Sequence, residues 1–214
     1  MKRNKTKLYT SLSFLVAFVI WTLLISFIDV SPIGPNESKV GFATINSFVH
    51  GLTGTNMLLY LITDWLGLVP IIVALGFAIL GLIQLIKRKS IAKVDESILI
   101  LGIFYIVVIV MYILFEYIII NYRPILINGY LEASYPSSTT MLVLTVMLTA
   151  ITQVKLRTKS KTVKLLIVFS ISAFIAFMVI GRFLSGVHWL TDIIGGAILS
   201  VGLVTMYQYF AIKK

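Results

Sequence analysis

Apolar runs long enough to cross a bilayer alternate with short polar segments along this chain. A spanning helix needs about 20 mostly apolar residues. Six stretches approach that length: roughly Leu8–Ile28, Leu66–Ile86, Ile98–Ile120, Thr139–Val154, Leu165–Ile180 and Leu190–Phe210. The fourth and fifth are short, which predicts helices that continue into their polar flanks. Between the first two runs, the segment Asp29–Trp65 opens on turn residues (Ser31, Pro32, Gly34, Pro35, Asn36) and then becomes amphipathic. There Ile45, Phe48, Val49 and Leu52 recur at helical spacing, with Asn46, His50 and Thr53 opposite. That pattern suits a helix lying in the membrane interface, with Trp65 as an anchor. The expected fold is all-α and polytopic, with six transmembrane helices and an outer interfacial helix between the first two. Residues 1–214 form one membrane-embedded domain, with no internal repeat.

Composition strengthens this reading. The 214 residues are 59% hydrophobic and 12% charged, with a mean hydropathy of +1.02. Such a chain needs lipid as its solvent. The first run is too long for a cleaved signal peptide and lacks a small-residue cleavage site, so it is expected to remain as a helix. The absence of cysteine excludes disulfides and thiolate metal sites, and two histidines are too few for a histidine-rich metal cage.

The net charge of +10 changes the picture only through its distribution. Basic residues cluster in alternate connections: Lys2, Arg3, Lys5 and Lys7; Lys87, Arg88, Lys89 and Lys93; Lys155, Arg157, Lys159, Lys161 and Lys164; and Lys213 and Lys214. This asymmetry fixes topology in membrane proteins and places both termini in the cytoplasm. It offers no basic face for nucleic acid. The lysine- and isoleucine-rich composition suits a bacterial chain, hence a plasma membrane. Lys39, Arg123 and Arg182 are left on the outer side.

Ionisable residues near a membrane are costly and therefore candidates for function. Glu116 and Arg123-Pro124 close the third run, Glu132 and Pro136-Ser137-Ser138-Thr139 precede the fourth, and Arg182, His188 and Asp192 lie between the fifth and sixth. His188 and Asp192 are four residues apart, a spacing that shares one helical face. A carboxylate there can hold one imidazole nitrogen and leave the other as nucleophile or base. Arginine provides a planar fork suited to phosphate oxygens. The hydroxyl-rich start of the fourth helix offers free N–H groups to an anion, although Ser137 also reads as an ordinary N-cap.

In these residues the chain resembles the type 2 phosphatidic acid phosphatase superfamily, the six-helix membrane relatives of the vanadium haloperoxidases. Its three motifs, Lys-x6-Arg-Pro, Pro-Ser-Gly-His and Ser-Arg-x5-His-x3-Asp, correspond here to EYIIINYRP, YPSST and GRFLSGVHWLTD. The resemblance implies that His188 attacks phosphorus and forms a phosphohistidine while Asp192 orients it. It also implies that Arg123 and Arg182 hold the phosphoryl oxygens, together with Ser137 and the neighbouring Ser138 and Thr139. The implied partner is a lipid phosphate or diphosphate in the membrane, such as phosphatidic acid, phosphatidylglycerol phosphate or undecaprenyl diphosphate. No metal or other cofactor is implied.

Among the departures from the motifs, three bear on the chemistry. Glu116 replaces the lysine, Gly181 replaces the serine before Arg182, and Thr139 replaces the histidine that serves the family as general acid. Loss of a general acid costs about 10²–10⁴ in rate, so a diphosphate, whose leaving group needs little protonation, is the favoured substrate. Glu116 as a protonated carboxyl, or His50 folded over the site, would supply the acid. Alternatively, Glu116 is ionised and paired with Arg123 or Arg182, and His50 is a wet interfacial residue. The expected function is a lipid phosphate or diphosphate phosphatase at the outer leaflet. The alternatives are a degenerate lipid-phosphate-binding protein and a phosphotransferase to a non-water acceptor.

Overall fold

The computed structural model describes residues 4–212. Lys2, Arg3, Lys213 and Lys214 lie outside the described residues. The elements are α1 (Lys5–Phe27), α2 (Ala43–Thr53), α3 (Met57–Leu66), α4 (Leu68–Arg88), α5 (Glu96–Tyr117), α6 (Ser138–Arg157), α7 (Lys161–Leu184) and α8 (Leu190–Ala211). Six helical stretches among the described residues are long and apolar enough to cross a membrane, with α3 and α4 forming one of them. The two short hydropathy runs do extend into polar flanks, from Ser138 to Arg157 and from Lys161 to Leu184.

α6 and α8 form the centre. Their most apolar windows are 61% buried, against 6–22% for the other spans, which turn most of their surface outward. The less apolar composition of α6 follows from this position. Thr145 and Thr149 bury their hydroxyls by donating to the Met141 and Thr145 carbonyls at 2.7 and 2.9 Å, so neither of these two hydroxyls is stranded. α1 packs on α8 where Ser11 Oγ donates to the Gly202 carbonyl at 2.7 Å. Lys7 Nζ donates to Gln208 Oε1 at 2.9 Å, which joins the start of α1 to the end of α8.

The α4–α5 and α6–α7 connections share that basic end. Asp95 binds Arg88 at 2.8 Å and Arg157 at 2.9 Å. The Arg88 hydrogen bond, followed by those from Gln84 and Arg157, holds the Asp95 carboxyl below its ordinary range against the opposing effect of burial.

At the opposite end, the segment after α1 contributes two helices where one was expected. The amphipathic pattern is α2, whose Ile45, Phe48 and Leu52 are exposed while Asn46 is buried. α3 follows and runs into α4 with a break at Gly67, so Trp65 lies inside a helix instead of ahead of the span. The physical reason is the Asn56 side chain, which accepts from Leu59 N at 2.9 Å and starts a new helix well before the apolar run becomes continuous.

The glycine pair after Asp192 lets α6 and α8 meet. A Cβ on Gly195 would lie 2.4 Å from Tyr135 Cε2, and one on Gly196 would lie 3.0 Å from the Ser137 carbonyl oxygen. Tyr135 cannot retreat, because it stacks on Phe18 with ring centroids 6.1 Å apart and its hydroxyl bonds Thr22 at 2.7 Å. Gly195→Ala is therefore expected to destabilise the protein by about 1–3 kcal/mol, read as a lower unfolding midpoint in detergent. An unchanged midpoint would contradict this packing.

Candidate active site

Four chain segments converge at the end opposite the basic loops. The first is the excursion from α5 to α6. Antiparallel bridges pair Tyr122 with Ala133 and Ile127 with Tyr130, and Asn128 and Gly129 take positive φ at its tip. Asn-Gly is the dipeptide such a tight reversal favours. The returning strand brings Ser134 back to Asn121, whose carbonyl accepts from Ser134 N at 2.9 Å. The second segment is the start of α6, the third is the α7–α8 loop, and the fourth is α2–α3.

His188 lies in that loop and is 3% exposed. Its Nδ1 is 3.1 Å from the Ser134 carbonyl oxygen, and its Nε2 is 3.3 Å from Arg123 Nη1. A carbonyl only accepts and a guanidinium only donates, so Nδ1 carries the proton and Nε2 presents its lone pair. Burial, followed by the charges of Arg123 and Arg182, pushes the His188 pKa well below the usual histidine value; the Ser134 carbonyl opposes this. The imidazole is thus held neutral with one nitrogen aimed at an arginine.

That depressed value has a consequence for stability. The folded state keeps His188 neutral, so below pH 6.5 the unfolded chain takes up the proton first. The stabilisation is complete above that pH and is lost as pH falls towards the folded value. Unfolding midpoints of wild type between pH 7.5 and 5 should fall more steeply than those of His188→Gln. Parallel curves would contradict the assignment.

The relation of His188 to Asp192 is corrected in one respect. His188 precedes α8 and does not share a helical face with Asp192. Asp192 Oδ2 accepts from Trp189 N at 2.9 Å, which caps the helix and begins it after the histidine. Nδ1 lies 3.7 Å from Asp192 Oδ2, too long for a hydrogen bond. The Ser134 carbonyl orients the ring directly, and the Asp192 carboxyl lies behind it. Asp192 is also fixed by Asn121, whose Nδ2 donates to Oδ1 at 3.3 Å.

Arg123 and Arg182 are both buried. Glu132 Oε2 is 3.0 Å from Arg123 Nε, but away from the N–H direction, since that donor makes no hydrogen bond. Arg182 donates to Thr63 Oγ1 at 3.3 Å and to Asp64 Oδ1 at 3.4 Å, and its Nε likewise makes no hydrogen bond. A buried donor without a partner costs about 1–3 kcal/mol. Each arginine thus keeps one N–H available to an anion.

The first turn of α6 adds further donors. Ser137 Oγ caps the helix by accepting from Thr140 N at 3.4 Å, and Ser137 N donates to the Asp192 carbonyl at 3.0 Å. The amides of Ser138 and Thr139 make no hydrogen bond among the described residues. An open helix N-terminus of this kind attracts negative charge.

The two candidate acids occupy different places. Glu116 is exposed and pairs with neither Arg123 nor Arg182; Glu132 and Asp64 hold those positions. The ion-pair expectation for Glu116 is therefore not met, because the chain after α5 turns Arg123 back towards the returning strand. Glu116 instead lines a shallow pocket with Tyr112, Ser134, Pro136 and Ser138. His50 folds onto the His188 loop, with Nε2 3.1 Å from the Gly186 carbonyl oxygen and its ring 5.5 Å from that of Trp189. Gly186 has φ +66°, and a Cβ there would meet the Gly54 carbonyl oxygen at 1.8 Å, so the loop requires glycine.

Sequence reasoning missed Asn121 and Ser134. Both are buried, and Asn121 also accepts from Gly41 N at 3.2 Å. A polar Asn121 between Ile120 and the Arg123-Pro124 pair was the available signal. Asn46, read only as part of a polar face, donates to Thr191 Oγ1 at 3.0 Å and ties α2 to the first turn of α8.

A bundle of spanning helices with buried arginines, a neutral histidine and an open helix end gathered at one pole defines a multi-pass membrane protein with a polar, cationic pole. The chain belongs to the PAP2 superfamily, whose model matches residues 103–214. Its fold is similar to that of a transmembrane PAP2-type phosphatidylglycerolphosphate phosphatase from Bacillus subtilis, with a TM-score of 0.62 and 19% identity over 94% of each chain. No curated protein sequence matches this chain.

Proposed function

We propose that this protein is a membrane phosphatase for lipid phosphates or diphosphates, acting at the outer leaflet through a phosphohistidine on His188. The observation that carries the proposal is the His188 imidazole, with Nδ1–H on the Ser134 carbonyl and Nε2 against Arg123. A phosphate entering between the two would take the Arg123 donor and release the Nε2 lone pair for attack on phosphorus. As the bond to Nε2 forms, the bond from phosphorus to the leaving oxygen breaks. The imidazole becomes positive, which the carboxylate of Asp192 at 3.7 Å favours. Water then attacks the phosphohistidine, releasing phosphate and restoring His188. Arg123, Arg182 and the amides of Ser138 and Thr139 counter the charge on the phosphoryl oxygens, with Ser137 holding that turn in place.

The leaving oxygen is the weak point, since Thr139 is no acid near neutral pH. Glu116, in a pocket shared with Ser134 and Ser138, is the better placed donor. His50 commits its Nε2–H to the Gly186 carbonyl and braces the loop instead. A diphosphate leaving group bypasses much of this need. The basic loops, read as cytoplasmic, support a site that faces outward from the plasma membrane.

Phosphate release by the detergent-purified chain tests the proposal, with phosphatidic acid, phosphatidylglycerol phosphate and undecaprenyl mono- and diphosphate as substrates. The diphosphate is expected to turn over fastest. Silence across the panel would overturn the hydrolase reading in favour of lipid-phosphate binding without turnover, or transfer to an acceptor other than water. The second reading has specific support in Thr139, the missing acid.

A further inference from the structure

Arg182 is gripped entirely from one side. Its side chain is almost completely buried, and its hydrogen-bond and ring partners all belong to α3. Nη1 donates to Thr63 Oγ1 at 3.3 Å, Nη2 donates to Asp64 Oδ1 at 3.4 Å, and the guanidinium lies 4.8 Å from the centroid of the Tyr60 ring. The Thr63 hydroxyl is itself aimed: it donates to the Leu59 carbonyl at 2.9 Å, which turns a lone pair towards the arginine. Among the described residues, Nε has no hydrogen-bond partner.

The close approach of α3 to α7 depends on residue 181. A Cβ on Gly181 would lie 2.9 Å from Thr63 Cγ2 and 3.5 Å from Leu59 Cδ1. Glycine at this position is therefore matched to the helix that covers it, which gives a reason for the departure from serine before Arg182.

We infer that Tyr60, Thr63 and Asp64 form a positioning clamp that fixes the Arg182 guanidinium and presents its free Nε edge to a phosphate oxygen. The inference rests on the phosphate-handling reading above. A guanidinium is planar, with five donors in fixed directions. Holding two of its nitrogens and one face removes rotation about the long side chain before the ligand arrives, which lowers the ordering cost of binding. Asp64 is half exposed, so its charge is screened and its direction matters more than its field. Thr63 is fully buried, and its loss would leave Nη1 without an acceptor.

Orthovanadate titrated calorimetrically into the full detergent-purified chain tests this, together with the unfolding midpoint without ligand. Thr63→Val, which keeps shape and loses the hydroxyl, should weaken vanadate binding roughly tenfold. Asp64→Asn should weaken it less, roughly threefold. Gly181→Ala should weaken it by pushing on the Thr63 methyl. Gly181→Ala combined with Thr63→Ser, which deletes that methyl and keeps the hydroxyl, should recover it. Wild-type affinity in both Thr63→Val and Asp64→Asn overturns the clamp. So does loss of affinity that only follows the unfolding midpoint and is not recovered in the double variant. A wild type that binds no vanadate overturns the phosphate reading itself, and the clamp with it.

Discussion

Replacing His188 with alanine is expected to lower phosphate release by about 10⁴-fold or more, the scale on which enzymes lose a covalent nucleophile. Nothing adjacent can substitute. His50 faces the Gly186 carbonyl, and the group against Nε2 is the Arg123 guanidinium, which cannot attack phosphorus. The anion site itself should survive. Arg123 would lose its 3.3 Å partner and become freer to hold a phosphate, while the open first turn of α6 is untouched. Vanadate binding that persists in a variant without turnover would separate chemistry from binding. Turnover within tenfold of wild type would remove His188 from the reaction.

The second large effect is a gain. Thr139→His places an imidazole on the first turn of α6, where the superfamily motif carries its acid. If the leaving oxygen limits the rate on monophosphates, that variant should release phosphate from phosphatidic acid about 10²–10⁴ times faster. The diphosphate should change far less, because its leaving group departs without much help. The informative quantity is the ratio of the two rates in one preparation. A parallel rise on both substrates, or none on either, would show that proton donation at this position does not limit turnover. Glu116→Gln in the same assay should slow the monophosphate more than the diphosphate.

The spans were legible because their signal is a local one. Twenty apolar residues with basic clusters at alternate ends read the same way whatever the rest of the chain does. The shortfall of the fourth run was legible as well, since the hydroxyls that lower the hydropathy of α6 are those it buries. The doubling of the outer segment into α2 and α3 was harder to see. The start of α3 depends on one Asn56 cap, and its apolar residues merge into the following run.

Within the site, the motif residues came together at one pole, because each motif sits at the end of a spanning helix. Their pairings could not be read from spacing. The partner of His188 Nδ1 is a backbone carbonyl on Ser134, and every residue type carries one. Glu132 rather than Glu116 reaches Arg123, because a hairpin tipped by Asn128-Gly129 folds back at that point. Asn121 illustrates the same limit. Its bonds to Gly41, Ser134 and Asp192 join separate parts of the chain, and no local pattern announces such a hub.

The proposed reaction stands or falls on a covalent bond between phosphorus and His188. Rapid acid-free quenching of the protein during turnover of a lipid diphosphate, followed by proteolysis and mass spectrometry, looks for that bond directly. One phosphoryl group is expected on the peptide containing His188, stable to alkali, lost in acid and absent from His188→Ala. Steady turnover with no phosphoryl group on His188, or with one on a different residue, would contradict it.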